Sequence, residues 1–190
     1  MLINGYGVND VTIYQVELTD SPFFHILIQN GTGLTVWGIE INTPAVGTRN
    51  TDGIGPKNEV DVVIAHDMVQ DGDDCVAFTS GPGMYIPVFQ DIVVDGLQAT
   101  NSPSGTSSLF EGYSASEPLQ IELAHVSLDN TAQSAQNAYV QASIDGSNII
   151  PAGTDVTVTS AGEIPGHVPH RVIPPFAAPP PSGPPVPPAA

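Results

Sequence analysis

Positive charge is the property that this sequence has least of. Its 190 residues include 20 Asp and Glu but only 3 Lys and Arg, so the formal net charge is −17. The three cations, Arg49, Lys57 and Arg171, are spread along the chain. Nucleic acids and anionic membranes bind through clustered Lys and Arg side chains. The composition therefore excludes nucleic acid and membrane surfaces as partners, and any polyanionic ligand meets net repulsion.

Cysteine and long apolar runs are also scarce. The only cysteine, Cys75, rules out an internal disulfide framework. No apolar run approaches the length, about 20 residues, that a membrane-spanning helix needs. Residues Met1–Gly5 lack the basic start and the apolar stretch of a signal peptide. Either the chain is not exported by that route, or its natural beginning is missing.

Helical periodicity is the third absence, and strand patterns take its place. Glycine and proline number 19 each, and 41% of the residues are hydrophobic, which is typical of turn-rich all-β structure with a sizeable core. Five segments share a pattern of two short apolar strands separated by a bend. Their first residues are Val11, Leu34, Val60, Ile92 and Leu119.

The spacing of these segments favours a solenoid. Their starts are 23, 26, 32 and 27 residues apart, an imperfect period typical of parallel β-helices with variable loops. We expect successive coils to stack their inward apolar residues, with Gly and Asn at the corners. A β-sandwich is the alternative, but its strands usually recur at intervals of about 8–12 residues.

Composition changes abruptly near residue 164. Eleven prolines lie between Pro165 and Pro188, and such a segment favours extended polyproline II conformation. We therefore predict two regions: a parallel β-helix over residues 1–163 and a proline-rich flexible tail over 164–190. A ligand for a proline-binding domain is the alternative interpretation of the tail.

Two acidic motifs are the candidate site. Asn50–Gly53 contains Asp52, and Asp71–Cys75 contains Asp73 and Asp74. Asp52 and Asp74 are 22 residues apart, close to one coil, so we expect them side by side on adjacent coils about 4.8 Å apart. Consecutive strand residues face opposite sides, so Asp73 and Asp74 can share a face only if the backbone bulges there. The alternative is that all three are solvated turn residues.

These motifs, together with Ser21–His25 and Gly33–Val36, resemble the polygalacturonases of glycoside hydrolase family 28. The resemblance implies a right-handed parallel β-helix that hydrolyses the α-1,4 bonds of polygalacturonic acid, the backbone of pectin, with inversion. It also implies a secreted, extracellular enzyme of plant cell wall degradation, because the polymer lies outside cells.

The resemblance also implies roles for individual residues. Asp73 would be the general acid, and Asp52 and Asp74 would together activate the water. Inverting hydrolysis usually holds its two carboxyl groups about 6.5–9.5 Å apart, so that the water fits between them. The substrate-binding candidates beside the triad are Asn50, Arg49 and Lys57.

No cofactor and no metal are expected. The run Asp67, Asp71, Asp73 lacks the later bidentate Glu of a calcium loop. His66 and His125 occupy equivalent Ala-His steps of the repeat, which favours surface positions over catalysis.

The sequence departs from the family after Gly81. The Gly-His-Gly and Arg-Ile-Lys motifs that support catalysis in the family are absent, as if several coils had been deleted internally and others truncated at the start. Cys75 has thereby lost its usual partner.

The alternative function is a catalytically weak or inactive β-helix remnant that acts as a carbohydrate-binding or structural module. Open coil ends would favour self-association. Trp37 fits either sugar stacking or core packing.

Overall fold

The strands of this chain form a parallel β-helix, as the repeat predicted. The structure, a computed structural model, describes residues 1–160 apart from residues 45, 46, 48, 81–85, 87 and 103. That part of the chain has fifteen strands and no helix. It therefore contains no helix long and apolar enough to cross a membrane. Every pairing between the strands is parallel. The predicted boundary at residue 163 and the tail over 164–190 lie outside the described residues.

The strands stack into three walls. Wall A consists of β1 (Ile3–Tyr6), β4 (Ile26–Gln29) and β7 (Ile54–Lys57). Wall B consists of β2 (Thr12–Tyr14), β5 (Thr32–Trp37), β8 (Val60–Ala65), β10 (Ile92–Asp95), β12 (Leu119–Ala124), β14 (Ala138–Asp145) and β15 (Thr154–Ser160). Wall C consists of β3 (Glu17–Thr19), β6 (Glu40–Asn42), β9 (Met68–Gln70), β11 (Gln98–Ala99) and β13 (Ser127–Leu128).

Alternation along the wall B strands sends every second side chain into the interior. Because the strands are in register, each inward residue stacks on an inward residue of the next coil, and together they form one apolar core. One such row crosses five coils: Ile13, Val36, Ile64, Val94 and Leu123. Burial of these rows is what holds the coils together.

The strands at the five predicted repeat positions stack as parallel neighbours in wall B. The first residues of the repeats are not all paired with one another: Leu34 pairs with Val62, and Ile92 pairs with Val62 and with Ile121. Two further coils, which carry β14 and β15, were not predicted.

Left-handed residues turn the corner at the end of the wall B strands. One stack of them comprises Gln15, Gly38, His66, Gly96, His125 and Gly146, with φ between 47° and 67°. Each His has a Gly beside it in the next coil; a Cβ on Gly96 would lie 2.8 Å from Nδ1 of His66. His66 and His125 are therefore exposed corner residues, as predicted. At another corner Asn58 Nδ2 donates to Asn30 Oδ1 at 2.8 Å, which confirms the prediction of Gly and Asn corners.

Wall A is shorter than the other walls. After β7, Val76 and Thr79 form single parallel bridges to Ile54 and Lys57, whereas β10 stacks directly on β8 and β11 on β9. The coils before and after residues 81–85 are thus continuous in walls B and C. Between these walls lies a cavity of about 910 Å³, whose lining includes Phe78, Phe89, Phe110 and Ile149.

Replacement of Ile64 tests the stacked core. Ile64 is fully buried in the row between Val36 and Val94. Ile64→Ala should lower the free energy of unfolding by about 2–5 kcal/mol, because it leaves a cavity between three coils. Met68→Ala, at a residue that is 42% exposed on wall C, is the control and should cost less than about 1 kcal/mol. Urea unfolding measures both, and equal costs would contradict the stacked core.

Candidate active site

Asp52 lies where the chain enters wall A. Backbone hydrogen bonds to the neighbouring coils fix its position along the stack. The His25 amide donates to the Asp52 carbonyl at 2.8 Å, and the Gly53 amide donates to the Asp74 carbonyl at 2.9 Å. These bonds place Asp52 and Asp74 side by side on adjacent coils. The predicted adjacency across 22 residues is therefore confirmed.

Asp73 and Asp74 share a face because the chain bends there. The sequence analysis allowed a shared face only if the backbone bulged, and the departure from regular strand geometry is a bend between strands: β9 ends at Gln70 and pairing resumes at Val76. The Asp73 amide donates to Oδ1 of Asp71 at 3.2 Å, two residues earlier, a local bond that competes with strand pairing. In the bend, consecutive side chains no longer alternate, and both Asp73 and Asp74 are exposed.

The structure brings the three predicted catalytic carboxylates together. One oxygen from each of Asp52, Asp73 and Asp74 lies within 4.8 Å of the other two. These nearest oxygens are closer than the 6.5–9.5 Å expected between the carboxyl groups of an inverting enzyme. Three oxygens also fall short of the six to eight that Ca²⁺ takes. We assign no metal to the cluster.

Burial and mutual repulsion raise the pKa of two carboxyl groups of the cluster. Desolvation raises the pKa of Asp52 to about 6, and the nearby charges of Asp73 and Asp74 add to the rise. Desolvation and the charge of Asp73 also raise the pKa of Asp74. Among the described residues, the ion pair within 4.0 Å is Asp95 with His125, on wall B. No described Lys or Arg offsets the charges of the cluster at that distance.

Asp73 is held differently from its neighbours. Its Oδ2 accepts the Asn50 amide at 3.1 Å, and its Oδ1 accepts the Asp74 amide at 3.0 Å. Asn50, a predicted substrate-binding residue, thus contacts the cluster through its backbone, at a left-handed φ of 53°. Two backbone amides therefore hold the Asp73 side chain in place.

The other two predicted substrate-binding residues, Arg49 and Lys57, differ in their position relative to this cluster. Arg49 is exposed and precedes Asn50 in the loop. Lys57 is half-buried at the far end of β7. At a rise of about 3.3 Å per residue, its Cα is roughly 16 Å along the chain from that of Asp52. The structure therefore does not bring Lys57 into the cluster.

A buried carboxyl group beneath the cluster was missed by the sequence analysis. Asp71 is only 4% exposed, and its Oδ2 has no hydrogen-bond partner in the part of the chain that the structure describes. Desolvation raises its pKa to about 7, helped by the charges of Asp52, Asp73 and Asp74. A Cβ on Gly53 would lie 2.9 Å from this oxygen, so Gly53 leaves the space that Asp71 occupies.

His25 was also missed as a functional residue. It is fully buried, with Nδ1 3.1 Å from the Asp52 carbonyl and Nε2 2.7 Å from Oγ1 of Thr43. Because a carbonyl only accepts, Nδ1 carries the proton and Nε2 accepts from Thr43. Burial lowers the pKa of His25, so this neutral form persists. His25 fixes the backbone of Asp52, and its place in the Ser21–His25 motif was the available signal.

Replacement of Asp71 tests the electrostatics of the site. The pKa of Asp71 is about 7 in the folded chain, and its ordinary value is 3.8. At a pH between these two values, the folded chain keeps a proton that the unfolded chain has lost. Stability therefore falls as pH rises from about 4 to 7. Asp71→Asn should reduce this fall by about 2–4 kcal/mol, since each tenfold step in proton affinity is worth about 1.4 kcal/mol.

Urea unfolding at pH 4.5 and pH 7 measures this effect, and Asp145→Asn on the exposed end of β14 is the matched control. The control should keep the pH dependence of the original chain. The same dependence in Asp71→Asn would show that Asp71 is not a buried, protonated group.

Known proteins similar to this chain are polygalacturonases. The endo-polygalacturonase of Pectobacterium carotovorum subsp. carotovorum is 30% identical over 169 aligned residues, which cover 77% of this chain and 42% of that protein. The polygalacturonase of Ralstonia nicotianae is 32% identical over 109 residues, covering 43% of this chain and 20% of that protein. The chain thus spans less than half the length of these curated relatives.

A solved polygalacturonase from Erwinia carotovora ssp. carotovora superimposes with a TM-score of 0.48 and 23% identity, over 78% of this chain and 45% of that one. The family model described as "Glycosyl hydrolases family 28" matches residues 2–96. That stretch is half of the chain and contains both acidic motifs, so the chain belongs to glycoside hydrolase family 28.

Proposed function

We propose that this chain hydrolyses the α-1,4-galacturonosyl bonds of polygalacturonate, the backbone of pectin, with inversion at the anomeric carbon. One observation carries the proposal: stacking of two coils gathers Asp52, Asp73 and Asp74, with one oxygen of each within 4.8 Å of the others. Glycoside hydrolysis needs a carboxyl group that donates a proton and a carboxylate that activates water. The family and its named relatives supply the substrate class.

We assign proton donation to Asp73 and water activation to Asp52 and Asp74. Desolvation raises the pKa of Asp52 to about 6, and two backbone amides hold the Asp73 side chain beside it. In the reaction Asp73 gives its proton to the leaving glycosidic oxygen, and the water loses a proton to the Asp52–Asp74 pair as it attacks the anomeric carbon.

Substrate binding must overcome charge repulsion. Polygalacturonate carries a carboxylate on each sugar, and the chain has a net charge of −17. Arg49 beside Asn50 supplies positive charge at the cluster, and Lys57 supplies it further along wall A, next to Gln29 of β4. Because repulsion is screened within about 8 Å at physiological salt, added salt or acid pH should strengthen binding.

The test of this function is release of reducing ends from polygalacturonate at about pH 4–5. We expect slow turnover, because the cationic motifs of the family are absent from the sequence. Asp73→Asn should lower the rate by about 10²–10⁴-fold, the usual contribution of a general acid. Asp145→Asn, at an exposed residue of wall B, is the control and should leave the rate unchanged.

Three outcomes distinguish the alternatives. Equal rates in the original chain and in Asp73→Asn would contradict the catalytic assignment. Binding of polygalacturonate without hydrolysis in either chain would support a carbohydrate-binding module instead. Proton NMR of the first product reads the stereochemistry: an initial β-anomer supports inversion, and an initial α-anomer would match the close carboxylates of a retaining site.

The extracellular location and self-association belong to the same proposal. A polymer of plant cell walls is degraded outside the cell, which implies a secreted enzyme. Strand β15 ends wall B, and most of its residues are exposed. Exposed strands at the end of a solenoid pair readily with another copy, so we propose that association occurs through the coil ends.

A further inference from the structure

One coil of the β-helix carries a buried carboxyl group at each of its corners. This coil, coil three, consists of β7, β8 and β9. Glu59 lies at the corner between walls A and B, Asp67 at the corner between walls B and C, and Asp71 at the corner after wall C. Their exposed fractions are 2%, 1% and 4%. Asp71 accepts an amide of its own bend, whereas the other two carboxyl groups bond to a different coil.

The different coil is the preceding one, coil two, which consists of β4, β5 and β6. The Gly31 amide donates to Oε1 of Glu59 at 2.7 Å, and the Ile39 amide donates to Oδ1 of Asp67 at 2.8 Å. Both amides belong to corner residues of coil two. Each side chain therefore provides the acceptor that a backbone carbonyl provides within the walls, and it fastens one corner of coil three to coil two.

The second oxygen of each fastening group is buried and unpaired. Among the described residues, Oε2 of Glu59 and Oδ2 of Asp67 have no hydrogen-bond partner. No described Lys, Arg or His lies within 4.0 Å of either group, since the ion pair of that length joins Asp95 to His125. An ionised carboxylate in such a place would be a buried charge with a single amide donor, which is strongly unfavourable. The neutral acid keeps its carbonyl oxygen for the amide and buries no charge.

The effect of burial on proton binding agrees with this geometry. Desolvation raises the pKa of Asp67 to about 7 and also raises the pKa of Glu59, while the bonds from Ile39 and Gly31 act in the opposite direction. The titratable and charged groups on the neighbouring segments are Asp10, Lys57, Asp61 and Asp91 near Glu59, and Glu40, His66 and Asp95 near Asp67. Burial, and not one of these charges, is the main cause at both corners.

We propose that Glu59 and Asp67 are protonated clasps, which fasten coil three to coil two in acid and release it as the pH rises toward neutral. Once the proton is lost, the carboxylate reaches water only by leaving Gly31 or Ile39. The folded corners hold these protons more tightly than open corners do. Their stability is therefore complete below the ordinary pKa values of 3.8 for Asp67 and 4.5 for Glu59, and it is lost as the pH rises through the higher values of the folded chain.

Coil three connects the candidate catalytic residues. Its first strand begins at Ile54, two residues after Asp52, and its last strand ends at Gln70, before the bend that contains Asp73 and Asp74. Release of its corners would therefore loosen both sides of the candidate active site. This consequence rests on the proposed function, whereas the clasps are tested without any hydrolysis, so either can fail without the other.

Hydrogen exchange of the two clasped amides tests the proposal in the original chain. Protection factors, which remove the intrinsic effect of pH on exchange, report local opening. The protection factor of Ile39 should fall about 100-fold between pH 4.5 and pH 7.5, because an open corner returns Asp67 to its ordinary pKa. The protection factor of Gly31 should fall as well. Equal protection at the two pH values, for either amide, would overturn the proposal.

Two conservative variants assign the effect to one corner each. Asp67→Asn keeps an oxygen for the Ile39 amide but has no proton to lose, so the fall at Ile39 should shrink to less than about threefold while the fall at Gly31 remains. Glu59→Gln should do the reverse. Asp61→Asn, in β8 of the same coil, is the matched control and should leave both falls unchanged. Undiminished falls at both amides in both variants would show opening of the whole chain and would overturn the clasps.

Carbon-13 NMR gives a second measurement that needs no variant. The Cγ resonance of Asp67 should titrate with a midpoint of about 7, against an ordinary value of 3.8. The Cδ resonance of Glu59 should titrate above its ordinary value of 4.5. Midpoints at the ordinary values would show that both groups are already ionised in mild acid and would overturn the proposal.

Discussion

The in-register stacking of parallel coils is the constraint on which the other features of this chain depend. Backbone hydrogen bonds between coils align residues that are 16–30 positions apart in sequence. In the interior this alignment builds the apolar rows, and at the corners it stacks left-handed residues such as Gly96 on His66. At the entrance to wall A the same bonds set Asp52 beside Asp74. Core, corners and candidate site therefore follow from one repeated geometry.

The candidate site adds a local departure from that geometry. The bend from Asp71 to Asp74 replaces strand pairing by bonds between carboxylate oxygens and backbone amides, and so turns Asp73 and Asp74 to one side. Four carboxyl groups then lie together, and burial raises the pKa of Asp52 and Asp71. A site of this kind binds protons strongly, which suits acid catalysis and costs stability near neutral pH.

Features that depend on residue type and on spacing along the sequence were predicted. Features that depend on packing between coils were not. Period and motif spacing predicted parallel strands and the adjacency of Asp52 with Asp74. Neither His25 nor Asp71 could be identified as a buried partner of the site, since burial arises from the neighbouring coils. The burial of Trp37 on the outer face of wall B was also hidden, because a buried residue on an outer face has the same pattern as a core residue.

The most direct test of this account is scalar coupling across the hydrogen bond that aligns the two acidic motifs. In a chain labelled with ¹⁵N and ¹³C, a long-range HNCO experiment should correlate the Gly53 amide nitrogen with the Asp74 carbonyl carbon, which lie across a bond of 2.9 Å. The His25 amide should likewise correlate with the Asp52 carbonyl. Coupling of Gly53 to any other carbonyl would place Asp52 out of register with Asp74 and contradict both the stacked coils and the catalytic cluster.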